Sequence, residues 1–317
     1  MNYRKLRQRL THLYDEGEAK SIVRWILEER FGLSTADIVG ADSLPLTDKQ
    51  ATEMEQIMLR LEAAEPVQYI LGQTCFCGRP FRVSPSVLIP RPETETLCRR
   101  VIETASAATS PLVVLDACTG SGCIAVTLAL DLPCADVSGC DLSEAALQVA
   151  QENAEWLGAK VKWNKWDVLR LAEQPPTKDG ELLRWDVMIS NPPYICERER
   201  AGMSRNVLEY EPHTALFVPD EDPLRFYRSL ACYASVSLKT NGRIFFEVNP
   251  LFVNEIRELL AGFGFERISS IEDEFGKQRF VEGTLVRKPS DGNRRSGSKE
   301  TECAVCSDEK KIKEKQS

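Results

Sequence analysis

Residues 187–195 read VMISNPPYI, an apolar run closed by a carboxamide, two imides and an aromatic ring. The run suits a buried strand. Pro192 and Pro193 then stiffen the backbone, and Asn191 and Tyr194 place polar atoms and a flat ring at the mouth of the sheet. Taken alone, such a Pro-Pro pair is a rigid turn. A second stretch, DACTGSGCIA at 116–125, puts Gly120 and Gly122 where a strand turns into a helix. Missing side chains let a ligand approach the backbone, and the free amides of a helix start favour an anion or a carboxylate. The Asp-x-x-x-Gly-x-Gly spacing is neither the phosphate-loop pattern nor the full dinucleotide pattern.

Two acids sharpen this reading. Asp141 ends the next strand, about twenty residues after the glycines, where a carboxylate meets the ribose hydroxyls of a nucleoside cofactor. Asp167 ends the strand after that, near where an adenine amino group would lie. Read singly, Asp141 is equally a helix cap or a loop acid. Together these residues would line the carboxyl edge of one open sheet, where ligands bind in such folds.

The flanking pattern supplies that sheet. Strand-like runs at 112–118, 136–142, 161–168, 185–190 and 242–249 alternate with helical ones, and two further extended runs fall near 265–272 and 278–287. This predicts an α/β fold with a doubly wound, mostly parallel seven-stranded sheet, closed by one antiparallel edge. Residues 1–72 predict a small helical domain, with Ser21 capping one helix, Gly32 ending it and Thr47 capping another. Residues 73–89 predict a β-hairpin linker with a Gly-Arg-Pro turn, and 90–288 the main domain, whose first helix starts at Pro92. Residues 289–317, almost without apolar side chains, predict a disordered tail.

Composition narrows the functional classes. The 317 residues carry 40 basic and 48 acidic side chains, a net charge of −8. That balance argues against a protein that grips many phosphates of duplex DNA. No run of roughly eighteen apolar residues exists, so no membrane span is expected. The N-terminal MNYRKLRQRL lacks the apolar core of a secretory signal, and a cytoplasmic location is expected. Eleven cysteines without framework spacing read as reduced thiols. Cys303 and Cys306 form a CxxC with no partner pair, and the chain has two histidines, His12 and His213. No metal is expected.

The glycine loop, the Asp-Leu-Ser at 141–143 and NPPY together resemble the S-adenosylmethionine-dependent methyltransferases of planar amide or amino nitrogens, which belong to the Rossmann-like class I. PVQYILG (66–72), FCGRPFRV (76–83), VLIPRPETE (87–95), YEPHTALF (210–217) and FFEV (245–248) look like the family that methylates the glutamine of the Gly-Gly-Gln motif in peptide-chain release factors. The likeness covers about residues 1–288. NPPY is shared with DNA adenine-N6 methyltransferases, so adenine-amino methylation of DNA or RNA stays open, as does a ribosomal-protein glutamine.

The resemblance implies S-adenosylmethionine as cofactor and release factors as protein partners. It implies cofactor contacts from Asp116, Thr119, Gly120, Ser121, Gly122, Asp141, Leu142, Asp167, Val168 and Asn191. It places Asn191, Pro192 and Tyr194 in catalysis, and Arg91 and Glu93 with Asn191, Pro192, Pro193 and Tyr194 on the substrate side. The Asn191 side-chain oxygen and the Pro192 carbonyl would accept the two N–H groups of a carboxamide, with the Tyr194 ring against its flat face. Glu211 and Pro212 look like part of a substrate-side loop. Asn249 and Pro250 depart from the family pattern, which often has a glycine there.

Overall fold

A computed structural model describes residues 1–39, 43–105, 110–273 and 276–286. The tail at 289–317, with Cys303 and Cys306, lies outside the described residues. Five helices open the chain: α1 (Tyr3–Leu10), α2 (Glu16–Phe31), α3 (Thr35–Val39), α4 (Asp48–Glu62) and α5 (Val67–Leu71). Leu10, Val23, Ile26, Leu27, Met54, Met58 and Leu61 meet in a core of their own. Thr47 caps α4 in a reciprocal box with Gln50, an arrangement worth about 1 kcal/mol. Gly32 ends α2 in the left-handed conformation, but the start differs from expectation. Asp15, not Ser21, is the cap: it accepts the Glu18 amide at 2.8 Å, while the Ser21 hydroxyl donates back to the Gly17 carbonyl. Glu16 and Glu18 in the first turn suit the helix dipole, which favours the earlier start.

The hairpin β1 (Gln73–Phe76) and β2 (Arg79–Arg82) turns on Cys77 and Gly78, both at positive φ, rather than on Gly-Arg-Pro. A two-residue turn of that hand matches the strand twist. The main domain follows: α6 (Pro92–Ala105), β3 (Val113–Ala117), α7 (Cys123–Asp131), β4 (Asp136–Asp141), α8 (Glu144–Leu157) and β5 (Val161–Lys165). Next come a short hairpin, β6 (Thr177–Lys178) and β7 (Glu181–Leu182), then β8 (Trp185–Ser190) and β9 (Ile195–Cys196). The chain continues through α9 (Arg205–Tyr210), β10 (Phe217–Val218), α10 (Arg225–Ser237), β11 (Leu238–Glu247), α11 (Val253–Gly262), β12 (Phe265–Glu272) and β13 (Gln278–Leu285).

Seven strands form one sheet in the order β12-β13-β11-β8-β3-β4-β5. Alternate residues bury on opposite faces. Val114, Val187, Ile189 and Phe245 pack with α6 and α7, while Leu115, Met188, Ile244 and Phe246 pack with α10 and α11. Each such side chain contributes roughly 1.5–3 kcal/mol by leaving water. The antiparallel strand is not at the edge, as the sequence pattern implied. β13 inserts between β11 and β12 and runs antiparallel to both. It carries the buried Phe280, Val281 and Leu285, whereas β12 exposes Glu266 and Arg267, so the more apolar strand takes the inner place. β5 stops at Lys165 instead of 168, because Asp167 caps a short turn of 3-10 helix over Val168–Arg170.

Candidate active site

Strand order reverses at β3, with β4 and β5 on one side and β8 and β11 on the other. Connections leaving in opposite directions open a crevice at the carboxyl ends of β3 and β8. A cavity of about 510 Å³ occupies that position. Its wall carries Thr119, Gly120 and Ser121 after β3, Asp141 and Leu142 at the end of β4, and Asp167 and Val168 after β5. Asn191 and Pro193 after β8, with Arg91 and Thr94 around the start of α6, complete the opposite side.

The glycine loop is held from three directions. Its Thr119 amide donates to the Cys140 carbonyl at 3.0 Å and its Gly120 amide to Asp141 Oδ2 at 2.9 Å. Asn153 of α8, fully buried, donates from Nδ2 to the Ser121 carbonyl at 2.9 Å and to the Arg82 carbonyl at 3.0 Å. The two glycines serve different ends. Gly120 has φ +55° and a Cβ there would meet nothing within 4 Å, which leaves the backbone open to a ligand. Gly122, at φ +77°, has no such room: a Cβ would lie 2.9 Å from Ala150 Cβ and 3.0 Å from the Trp163 ring. Gly122 therefore lets the loop pack on α8 and β5.

Asp141 is half-buried, and its Oδ1 accepts the Ser143 amide at 2.9 Å. Burial pushes its carboxyl up, and the amides of Ser143, Gly120 and Leu142 draw it back. Asp116 lies beneath the loop rather than on the wall. Its Oδ2 accepts Thr119 Oγ1 at 2.5 Å and the Ala125 amide at 3.1 Å, while Oδ1 is buried without a partner. Burial raises this carboxyl to about 7.

Across the cavity, parallel pairing sets Ser190 of β8 beside Phe246 of β11, which brings Asn191 alongside Glu247. Asn191 Nδ2 donates to Thr94 Oγ1 at 3.3 Å, and Thr94 Oγ1 donates to Glu247 Oε2 at 2.7 Å. The Tyr194 hydroxyl donates to Glu247 Oε1 at 3.2 Å. Tyr194 is thus turned inward, its ring against the core that contains Tyr227 and Phe246. Asn249, the departure noted in the sequence, is buried and donates from Nδ2 to the Tyr194 carbonyl at 3.2 Å and to Glu199 at 2.8 Å. It braces the backbone just past the prolines. Glu211, also buried, accepts the Arg91 guanidinium at 2.5 Å and the Ile89 amide at 3.2 Å, tying the loop after α9 to the segment before α6.

The chain matches a family model of the PrmC N-terminal domain over residues 3–72 and one of a methyltransferase domain over residues 114–197. It is 39% identical over 277 residues to the release factor glutamine methyltransferase of Bacteroides thetaiotaomicron, covering 87% of this chain and 96% of that one. The chain belongs to the release factor glutamine methyltransferase family. Its Flavobacterium psychrophilum relative is 39% identical over 283 residues, with 88% and 97% covered. A Bacillus subtilis member is 34% identical over 275 residues, with 86% and 93% covered. The protein is therefore a methyltransferase, with a Rossmann-like domain behind a helical N-terminal region.

In this member of the release factor glutamine methyltransferase family, ten of the expected site residues share the cavity wall: Arg91, Thr119, Gly120, Ser121, Asp141, Leu142, Asp167, Val168, Asn191 and Pro193. Asp116, Gly122, Pro192, Tyr194 and Glu93 are not among the residues that line it. Sequence reasoning missed Asn153, the Thr94–Glu247 contact and the bracing role of Asn249. The one available signal was Glu247 itself, an acid closing the apolar run FFE. Among the described residues, no helix is long and apolar enough to cross a membrane.

Proposed function

We propose that the protein transfers a methyl group from S-adenosylmethionine to the side-chain amide nitrogen of the glutamine in the Gly-Gly-Gln motif of peptide-chain release factors. Its workplace would then be the cytoplasm, with the translation machinery. The observation that carries this reading is the Asn191 carboxamide on the cavity wall, with Nδ2 engaged by Thr94 and Oδ1 left to accept.

The residues around the cavity fit the cofactor. Asp141 offers carboxylate lone pairs to ribose hydroxyls, and Gly120 opens its Cβ side to the ligand. Asp167 with Val168 and Leu142 supplies an acceptor among apolar groups, suited to an adenine. When bound, S-adenosylmethionine supplies an electrophilic methyl group on a sulfonium.

This chain's own residues must then make an amide nitrogen reactive. Its lone pair is delocalised into the carbonyl, so positioning and hydrogen-bond acceptance carry the catalysis. Asn191 Oδ1 and the Pro192 carbonyl would accept the two N–H groups and favour a pyramidal nitrogen. Pro192 and Pro193 keep those acceptors in place without reorganisation. Tyr194 serves the site by anchoring this corner to Glu247. Arg91, clamped by Glu211, would face the incoming protein.

Transfer of labelled methyl from S-adenosylmethionine to a purified release factor, a ribosomal protein and duplex DNA in parallel tests the proposal. Label in the release factor supports it. Label confined to DNA or to the ribosomal protein rejects it.

A further inference from the structure

We propose that Thr94 and Glu247 act as a positioning pair that dictates which end of the Asn191 carboxamide faces the substrate. The inference rests on the function proposed above and adds two residues to it. A carboxamide has a donating and an accepting end of nearly the same shape. Only the accepting end can take an N–H from the target nitrogen, so a flipped Asn191 would present the wrong atoms.

The hydrogen-bond chain settles the direction. Glu247, at the end of β11, is 1% exposed and accepts two hydroxyls, Thr94 at 2.7 Å and Tyr194 at 3.2 Å. The hydroxyl of Thr94 has a single hydrogen, and it is given to Glu247. Toward Asn191, Thr94 can therefore only accept. The Asn191 end that faces it at 3.3 Å must be the NH₂ end, and Oδ1 is directed away. Thr94 is itself 2% exposed, so water does not compete easily for this contact. The Tyr227 hydroxyl donates to the Glu247 main-chain carbonyl at 3.0 Å and holds the strand end in register.

Both Glu247 oxygens accept hydroxyls, one from Thr94 and one from Tyr194, and this makes the carboxyl the accepting end of the chain. Burial pushes this carboxyl up; the Thr94 and Tyr194 hydroxyls and the charge of Arg279 pull it down, and Glu93 pushes it up again. Neither Thr94 nor Glu247 is asked to move a proton. Their contribution is to select one of two amide orientations, so it belongs in turnover rather than in affinity.

The test compares Thr94→Val, Thr94→Ser, Glu247→Gln and the Thr94→Val/Glu247→Gln double variant with the wild type. Methyl transfer to a release factor is followed kinetically, and S-adenosylmethionine binding by calorimetry. Thr94→Val is expected to lower kcat by about 10- to 100-fold with KM and cofactor Kd within about threefold. Thr94→Ser, which keeps the hydroxyl, restores turnover to within about threefold of wild type. In Glu247→Gln, the amide that replaces the carboxylate must donate to one of the two hydroxyls, so kcat falls on the same scale. The double variant is no slower than the worse single one, because residues acting as a unit are not additive. If Thr94→Val fails to bind cofactor, Thr94→Ser and Glu247→Gln decide alone. Wild-type turnover in Thr94→Val or Glu247→Gln, equal losses in Thr94→Ser and Thr94→Val, or multiplicative losses in the double variant would overturn the pair. A wild-type enzyme that leaves the release factor unmodified would instead reject the proposed function, and this role with it.

Discussion

Asp141 Oδ2 accepts the backbone amide of Gly120 at 2.9 Å, joining the end of β4 to the loop after β3 across 21 positions of sequence. One contact thereby fixes both the carboxylate proposed for the ribose and the glycine turn beside it. Asp141→Ala removes a charged acceptor and loosens the loop. S-adenosylmethionine affinity is expected to drop by about 1.5–3 kcal/mol, roughly 10- to 150-fold, measured by calorimetry. Affinity within threefold of wild type would remove Asp141 from the cofactor site.

Asn191→Ala should behave in the opposite way. The acceptor it removes matters most at the transition state, so turnover is expected to fall by about a hundredfold or more while much of the cofactor affinity is retained. Single-turnover kinetics with a release factor, alongside calorimetry, separates the two effects. An unchanged rate contradicts the role assigned to this side chain.

Gly139 of β4 pairs with Trp163 of β5, and a Cβ on Gly139 would sit 2.4 Å from the indole Cζ3 and 3.1 Å from Thr119 Oγ1. Gly139→Ala is expected to cost about 1–3 kcal/mol of stability in urea denaturation, as overpacking does. Combining it with Trp163→Leu should cost less than the sum of the single changes, because the clash is then relieved. Strict additivity would show that the ring is not the obstacle.

Asp116 carries a pH signature in stability. Its carboxyl is raised by burial from the ordinary 3.8 to about 7 in the folded protein. Between those values the folded chain keeps a proton that the unfolded chain has lost, so this group's contribution falls as pH rises from about 4 to 7 and is level above that. Asp116→Asn removes the titration. Its stability relative to wild type should therefore increase across that interval in urea titrations, and a constant difference would contradict the assignment.

The parts of this site that strand ends display were legible in the sequence. Gly120, Asp141, Asp167 and Asn191 each close or follow a strand of a parallel sheet, and such a sheet gathers its carboxyl ends at one edge. The Thr94–Glu247 contact spans 153 positions and depends on the β8–β11 register and on where α6 begins, which no local pattern encodes. Tyr194 illustrates the same limit. Its ring type suited stacking on an amide, but the buried Glu247 and the adjoining core draw it inward. The place of β13 was decided by which of two hairpin strands buries more apolar surface, a comparison between elements.

The central claim is that a glutamine amide is held at the Asn191 corner and receives the methyl group there. Mass spectrometry of the Gly-Gly-Gln peptide of a release factor, after incubation with the enzyme and S-adenosylmethionine, tests it most directly. One added methyl group, located by fragmentation on the glutamine side chain, is the expected result. An unmodified glutamine, or a methyl group on another residue of the peptide, would contradict the account.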